Sequence, residues 1–235
     1  MTLFALLHGG MHDGSSWDLV APQLRDRGFD VVTPDLPVDD EDAGAARWAR
    51  VAVDAIDGAV GPDDGDVIVV GHSIAGLCVP VAAALRQVRA MVFVAGLIPV
   101  VGRSFVEQLA ENPSAVTFPA PGSTGGDGPF GLDFQTVRDG FYHDVDEVLA
   151  RQEFGRLRRQ AFTVLTERCP IEQWPDVSAR FIVMSDDRAV DPAWSRQMAL
   201  RYPRSGVIEM AGGHSPFLAR PHQLTTTLAA VADSV

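Results

Sequence analysis

The sequence predicts an α/β fold: a six-stranded, mostly parallel sheet with helices on both faces and an inserted helical cap. Short apolar, β-branched runs alternate with helical patterns across short connections, the rhythm of strand–helix–strand units. One run, Val67-Ile68-Val69-Val70, passes almost without a loop into a buried helical pattern through Gly71-His72-Ser73-Ile74-Ala75-Gly76. The rhythm lapses between residues 99 and 169, so residues 1–98 and 170–235 read as one core and 99–169 as a cap inserted over the carboxyl edge of the sheet.

In order, Leu3 to Leu7 is the first strand, and it ends in His8-Gly9-Gly10, where paired glycines let the backbone approach a ligand. Ser15 or Ser16 is placed to cap a helix running to Arg27, stopped by Gly28. Phe29 to Thr33 is the second strand, ended by Pro34. Asp39 to Asp42 precede an Ala-rich amphipathic helix from Ala43 to Val60; at a helix start those carboxylates suit the dipole and need no chemistry. Next comes the strand leading to Ser73. Pro80, inside the helix expected from Ile74 to Leu85, should bend it. Arg89 to Ala95 is the fourth strand. The insertion holds a helix near Ser104 to Glu111, a Gly- and Pro-rich centre from Phe118 to Pro129 that suits either a lid or a linker, and helical patterns from Asp146 to Thr166. Then follow a strand from Arg180 to Met184, a helix from Pro192 to Arg201 with Asp191 as its N-cap, a strand from Gly206 to Met210, and a final helix from Ser215 to Ala232.

Composition narrows the chemistry. The chain has 235 residues, 46% of them hydrophobic, enough for one sizeable core and without a composition shift that would divide it. Its net charge is −12 and all its basic residues are arginine, which argues against nucleic acid and excludes Schiff-base or Ser–Lys chemistry. Cys78 and Cys169 have no ligand spacing and read as reduced structural thiols, so no metal is expected. No apolar run reaches membrane-spanning length, and the start of the chain lacks a leader pattern; a cytoplasmic protein, free of membranes and either a monomer or a homodimer, is the expectation.

Three residues at strand ends form the candidate site. A strand turning sharply into a helix thrusts the residue at the bend above the strand ends, the nucleophile-elbow reading of Ser73; the other reading is a serine capping a helix, since Ala75 replaces the second glycine of G-x-S-x-G. A serine hydroxyl needs a base, and the base needs a group to orient it. His214 follows the last strand in Gly212-Gly213-His214-Ser215-Pro216, and Asp187, with Asp186 as its competitor, follows the strand before. The Gly10 and Ile74 amides are the natural oxyanion pair. Gly9, Met11, His12, Ile98 and Phe217 are the candidate substrate contacts, although a solvated loop position also accounts for His12. His8 is expected to support its loop and His72 to be packed; His143 and His222 carry no signal.

The blocks Leu6-Leu7-His8-Gly9-Gly10, Gly71 to Gly76, Asp186-Asp187-Arg188 and Gly212 to Phe217 resemble those of the small cofactor-free α/β-hydrolases, in particular the hydroxynitrile-lyase and methyl-salicylate-esterase group. The resemblance implies a Ser73–His214–Asp187 triad, with substrate held between the cap and the Gly10 loop. The lyases of that group carry a lysine after the catalytic histidine and a threonine in the first loop; here Ser215 and Gly9 stand there, which favours ester hydrolysis over cyanohydrin cleavage. Neutral, moderately hydrophobic esters, lactones or thioesters are the expected small-molecule substrates. The alternative is a non-hydrolytic protein of the same fold, a biosynthetic cyclase or lyase or a small-molecule receptor.

Overall fold

The computed structural model describes residues 1–117 and 128–235, so whether the glycine-rich centre of the insertion is a lid or a linker falls outside the described residues. Six strands, β1 (Leu3–Leu7), β2 (Asp30–Val32), β3 (Val67–His72), β4 (Ala90–Val94), β5 (Ser178–Met184) and β6 (Ser205–Met210), form one sheet in the order β2-β1-β3-β4-β5-β6. Every pairing is parallel. The chain moves outward from β1 to β2, then returns across β1 to β3 and continues in the other direction. That reversal puts the loops after β1 and β3 side by side at the switch point, where open parallel sheets bind ligands.

Period-two alternation sorts the strand residues onto two cores. Leu3, Ala5, Leu7, Val67, Val69, Met91 and Phe93 pack on one face; Phe4, Leu6, Ile68, Val70, Val92 and Val94 pack on the other.

Several helices are shorter than their sequence patterns, and proline accounts for three of the breaks. Instead of one helix from Ser15 to Arg27 there is a 3-10 turn, Gly14–Trp17, capped by Asp13, and then α1 (Ala21–Arg25) with Pro22 in its first turn, where a missing N–H costs nothing. α2 (Ala45–Val60) starts at Gly44, and the carboxylate at its first turn is that of Glu167, which accepts from Ala46 N–H at 3.2 Å, rather than one from the acidic patch; Asp39 pairs with Arg158 at 2.5 Å. After Ser73 the chain winds as a 3-10 segment, Ser73–Leu77, and α3 (Val79–Leu85) begins afresh with Pro80 in its first turn, so proline starts a helix rather than bending one. Between β4 and β5 lie α4 (Phe105–Glu111), closed by a Ser104/Glu107 capping box, α5 (Phe134–Gly140), α6 (Glu147–Phe154) and α7 (Thr163–Thr166). The pattern from Asp146 to Thr166 is therefore two helices, separated by an extended stretch that bridges Phe130 through Gln160. α8 (Pro192–Ala199) has Asp191 as its N-cap, as expected. The last helix is divided into α9 (Pro216–Ala219) and α10 (Pro221–Ser234), because Pro221 drives Arg220 out of helical geometry. Cys78 and Cys169 are buried and unpaired, and among the described residues no helix is long and apolar enough to cross a membrane.

The turn between β3 and the 3-10 segment is tight enough to constrain composition. A Cβ on Gly76 would lie 2.3 Å from the Leu97 carbonyl oxygen, a backbone atom that cannot swing aside. Gly76→Ala is expected to destabilise the protein by about 1–3 kcal/mol through overpacking, measured as a lower urea midpoint at unchanged slope.

Candidate active site

Ser73 is a non-glycine residue at φ 51°, left-handed backbone that places its hydroxyl at the apex of the bend. The Leu97 N–H, from the loop after β4, donates to the Ser73 carbonyl at 2.9 Å and braces the turn from below. The structure brings the three strand-end residues together. His214 Nε2 lies 3.0 Å from Ser73 Oγ, and His214 Nδ1 lies 2.9 and 3.1 Å from the two carboxylate oxygens of Asp187. With Nδ1 facing a carboxylate, the ring carries its proton there, and Nε2 is left to accept from the serine hydroxyl. Asp187 is fixed in turn by the Ala189 and Val190 N–H groups, which donate to Oδ1 at 2.8 and 2.9 Å. Asp186 turns away and accepts from Ser185 Oγ at 2.7 Å and Gly212 N–H at 3.2 Å, so of the two aspartates it is Asp187 that lies against the His214 ring.

The loop bearing His214 is tied to the insertion. Gly213 N–H donates to Asp144 Oδ2 at 2.9 Å, and Arg220 pairs with the same oxygen. Sequence reasoning gave no role to this neighbourhood: neither Asp144 nor Arg220 sits in a motif, and they meet only through the fold.

Gly10 and Ile74, the expected oxyanion pair, face each other across the switch point; a Cβ on Gly10 would come 3.3 Å from Ile74 Cγ2. Outside the regular helices and strands, no backbone acceptor for either amide occurs among the described residues. His8 does support its loop, donating from Nδ1 to the Gly9 carbonyl at 2.9 Å and accepting from Leu36 N–H at 2.8 Å. His72 is packed, donating from Nε2 to the His214 carbonyl at 2.8 Å. His12 is not solvated. It is 5% exposed, donates from Nδ1 to the Gly10 carbonyl at 2.7 Å and accepts from the Tyr142 hydroxyl at 2.7 Å.

Ser73 and His214 open on a cavity of about 440 Å³. Its wall is largely apolar: Met11, Ile74 and Leu97 from the core, Val106 and Leu109 from α4, and Phe162 near α7. Met11 and His12 line it as expected, whereas Gly9, Ile98 and Phe217 do not. Ile98 points into the core on the α2 side and Phe217 into the opposite one, edge-on to His72 and tilted against Trp17. Gly9 lies beneath the site, where a Cβ would approach His72 Nδ1 to 2.5 Å. Gln160, 2% exposed, is a wall residue that no sequence signal marked; it comes from the extended stretch between α6 and α7.

A buried serine, imidazole and carboxylate in line at the carboxyl edge of a parallel sheet is the arrangement of serine hydrolases. The sequence matches the model of the Alpha/beta hydrolase family over residues 4–227, and the chain belongs to that family. It is similar to a pyrethroid hydrolase of Sphingobium wenxiniae, 25% identical over 269 residues that cover 100% of this chain and 89% of the relative. It is likewise similar to Methylesterase 2 of Arabidopsis thaliana, 26% identical over 258 residues, covering 98% of this chain and 96% of the relative. The crystal structure of an Arabidopsis methylesterase shares the fold, with a TM-score of 0.80 at 17% identity over 100% of both chains.

Burial sets the electrostatics beneath the site. It lowers His8 and His12 from the ordinary 6.5 to about 4, and together with the neighbouring His214 it holds His72 well below that ordinary value. These rings are neutral at neutral pH, and at His8 and His12 the nitrogen that accepts from Leu36 N–H or the Tyr142 hydroxyl requires it. Burial also pushes the Cys78 thiol up to about 12, which leaves it unreactive. Histidines that titrate near 4 when folded and near 6.5 when unfolded let the unfolded chain take up protons first as pH falls. Stability should therefore be level above pH 6.5 and decline towards pH 4, by about 3 kcal/mol for each histidine at the acid end. Urea midpoints measured across that window check the expectation, and a flat profile contradicts it.

Proposed function

We propose that this protein is a carboxylesterase-type serine hydrolase that cleaves small, neutral, apolar esters through an acyl-enzyme on Ser73. The observation that carries the proposal is the 3.0 Å approach of His214 Nε2 to Ser73 Oγ, with Asp187 on the far side of the ring and an apolar cavity in front. In the first half-reaction His214 takes the hydroxyl proton as Ser73 Oγ bonds to the ester carbon. The oxyanion accepts from Gly10 and Ile74 N–H, and His214 then passes its proton to the departing alkoxide. In the second, His214 deprotonates a water that attacks the acyl carbon, and Ser73 recovers its proton as the acid leaves.

The cavity supports the substrate class. An apolar wall in a chain of net charge −12 disfavours anionic substrates both at long range and on contact. The names of the relatives, methylesterase and pyrethroid hydrolase, belong to the same class of reaction. Cyanohydrin cleavage has less support. A threonine at position 9 would place its Cβ 2.5 Å from His72 Nδ1 and 3.2 Å from Ser73 Cβ, and residue 215 is fully buried away from the cavity wall.

Ser73→Ala is expected to lower kcat/KM on p-nitrophenyl butyrate by about 10⁴-fold or more, and Asp187→Asn by about 10⁴-fold through loss of the correct imidazole tautomer. Retention of wild-type turnover by Ser73→Ala would refute the acyl-enzyme. Leu109→Trp, which fills part of the cavity, is expected to raise KM for octanoate about tenfold while leaving acetate nearly unchanged; parallel changes in both would show that α4 does not shape the acyl site.

A further inference from the structure

Two consecutive peptide groups in the loop after β1 decide where the Gly10 amide points, and both are held by side chains. The Gly9–Gly10 peptide has its carbonyl fixed by His8 Nδ1–H at 2.9 Å. In a trans peptide C=O and N–H point in opposite directions, so this contact fixes the direction of the Gly10 N–H. The Gly10–Met11 peptide is held at both ends. Its carbonyl accepts from His12 Nδ1–H at 2.7 Å, and its N–H donates to Gln160 Oε1 at 3.2 Å. Met11 is thereby kept at φ 64°, a left-handed conformation that a non-glycine residue keeps only when its surroundings over-determine it.

The groups that clamp this second peptide depend on the insertion. Gln160 belongs to it, and His12 is oriented by the hydroxyl of Tyr142, which is also in the insertion and is fully buried. The backbone of the insertion adds a third contact, Arg158 N–H to the Met11 carbonyl at 2.6 Å. Gln160 is itself fixed, because its Nε2 donates to the Ala161 carbonyl at 2.8 Å and Ala161 N–H donates to the Val38 carbonyl at 2.7 Å. Its Oε1 would lie only 2.8 Å from a Cβ on Gly10, so the carboxamide is in contact with the residue that supplies the oxyanion donor.

We infer that Gln160 and Tyr142 are positioning residues for oxyanion stabilisation: from the insertion they clamp the Gly10–Met11 peptide, so that the hole is completed only when the insertion is docked on the loop after β1. The inference rests on the esterase reading and adds to it a source of rate that lies outside the triad. A donor displaced by a fraction of an ångström loses the transition state more than the substrate, so the effect belongs in kcat.

The test uses full-length Gln160→Met, which keeps the volume and removes the carboxamide, Tyr142→Phe, which removes one oxygen, and the double variant, each assayed on p-nitrophenyl butyrate. The expected result is a fall in kcat of about 10- to 100-fold with KM within about threefold. Affinity for a trifluoromethyl ketone analogue of the tetrahedral intermediate should fall by the same factor as kcat/KM, while inhibition by butyrate, the product, stays unchanged. Because both side chains act on one peptide, the double variant should lose less than the product of the single losses. A folded variant with wild-type kcat and analogue affinity, or one altered in KM alone, overturns the inference. Should Gln160→Met fail to fold, Tyr142→Phe alone decides by the same criteria. An inactive Ser73→Ala beside unimpaired Gln160→Met and Tyr142→Phe removes this inference and leaves the esterase; an active Ser73→Ala removes the esterase reading as well.

Discussion

The left-handed bend at Ser73 is the constraint on which the rest of the structure depends. A serine at φ 51° carries backbone strain, of the order of 1–3 kcal/mol, and persists because the chain on either side cannot yield. β3 is buried along its whole length, Gly76 is pressed against the Leu97 carbonyl, and Leu97 N–H holds the Ser73 carbonyl. With the bend fixed, sheet topology does the remaining placement. β1 is paired to β3 on one side and brings the Gly10 loop alongside, while β5 and β6 end in the loops that bear Asp187 and His214. β4, between them, supplies no catalytic acid; the loop that follows it is the brace.

Directional polar contacts under the cavity matter as much as apolar packing. Four histidines, His8, His12, His72 and His214, are buried within a short distance of one another, and each has a ring nitrogen committed to a carbonyl, amide, hydroxyl or carboxylate. A charged ring at His8, His12 or His72 would repel its neighbours, and at His8 and His12 it would also remove the acceptor that a partner needs, so burial and mutual proximity work together to keep these three neutral. His72 Nδ1, without a hydrogen-bond partner among the described residues, rests against Gly9, which explains why glycine stands at that position better than an approach to substrate does.

Much of this was legible in the sequence because it is encoded locally. A β-branched run ending in small residues around a serine, an aspartate and a histidine each just past a strand, and paired glycines after the first strand are short signals that depend on neighbours in the chain. Helix boundaries were less legible where proline stood within an otherwise continuous pattern, as at Pro22, Pro80 and Pro221. Side-chain direction was also hidden: Ile98 and Phe217 adjoin site residues in sequence, yet the backbone turns them into opposite cores, and Leu97 faces the cavity instead. Gln160, Tyr142 and Asp144 were illegible for a further reason. Their partners Met11, His12 and Gly213 lie 149, 130 and 69 positions away, so no spacing rule links them.

The division of labour on α4 bears on how such a scaffold diversifies. Val106, Leu109 and Ala110 contribute to the cavity wall, whereas Glu107 and Glu111 engage Arg168 and Arg103, which fasten the helix in place. Phe105 serves both wall and core, whereas the rest of the contour and the outer ion pairs are carried by different side chains on one short element. A lineage can resculpt the wall one substitution at a time while the anchor and the reaction centre stay as they were, and selectivity is free to drift faster than chemistry.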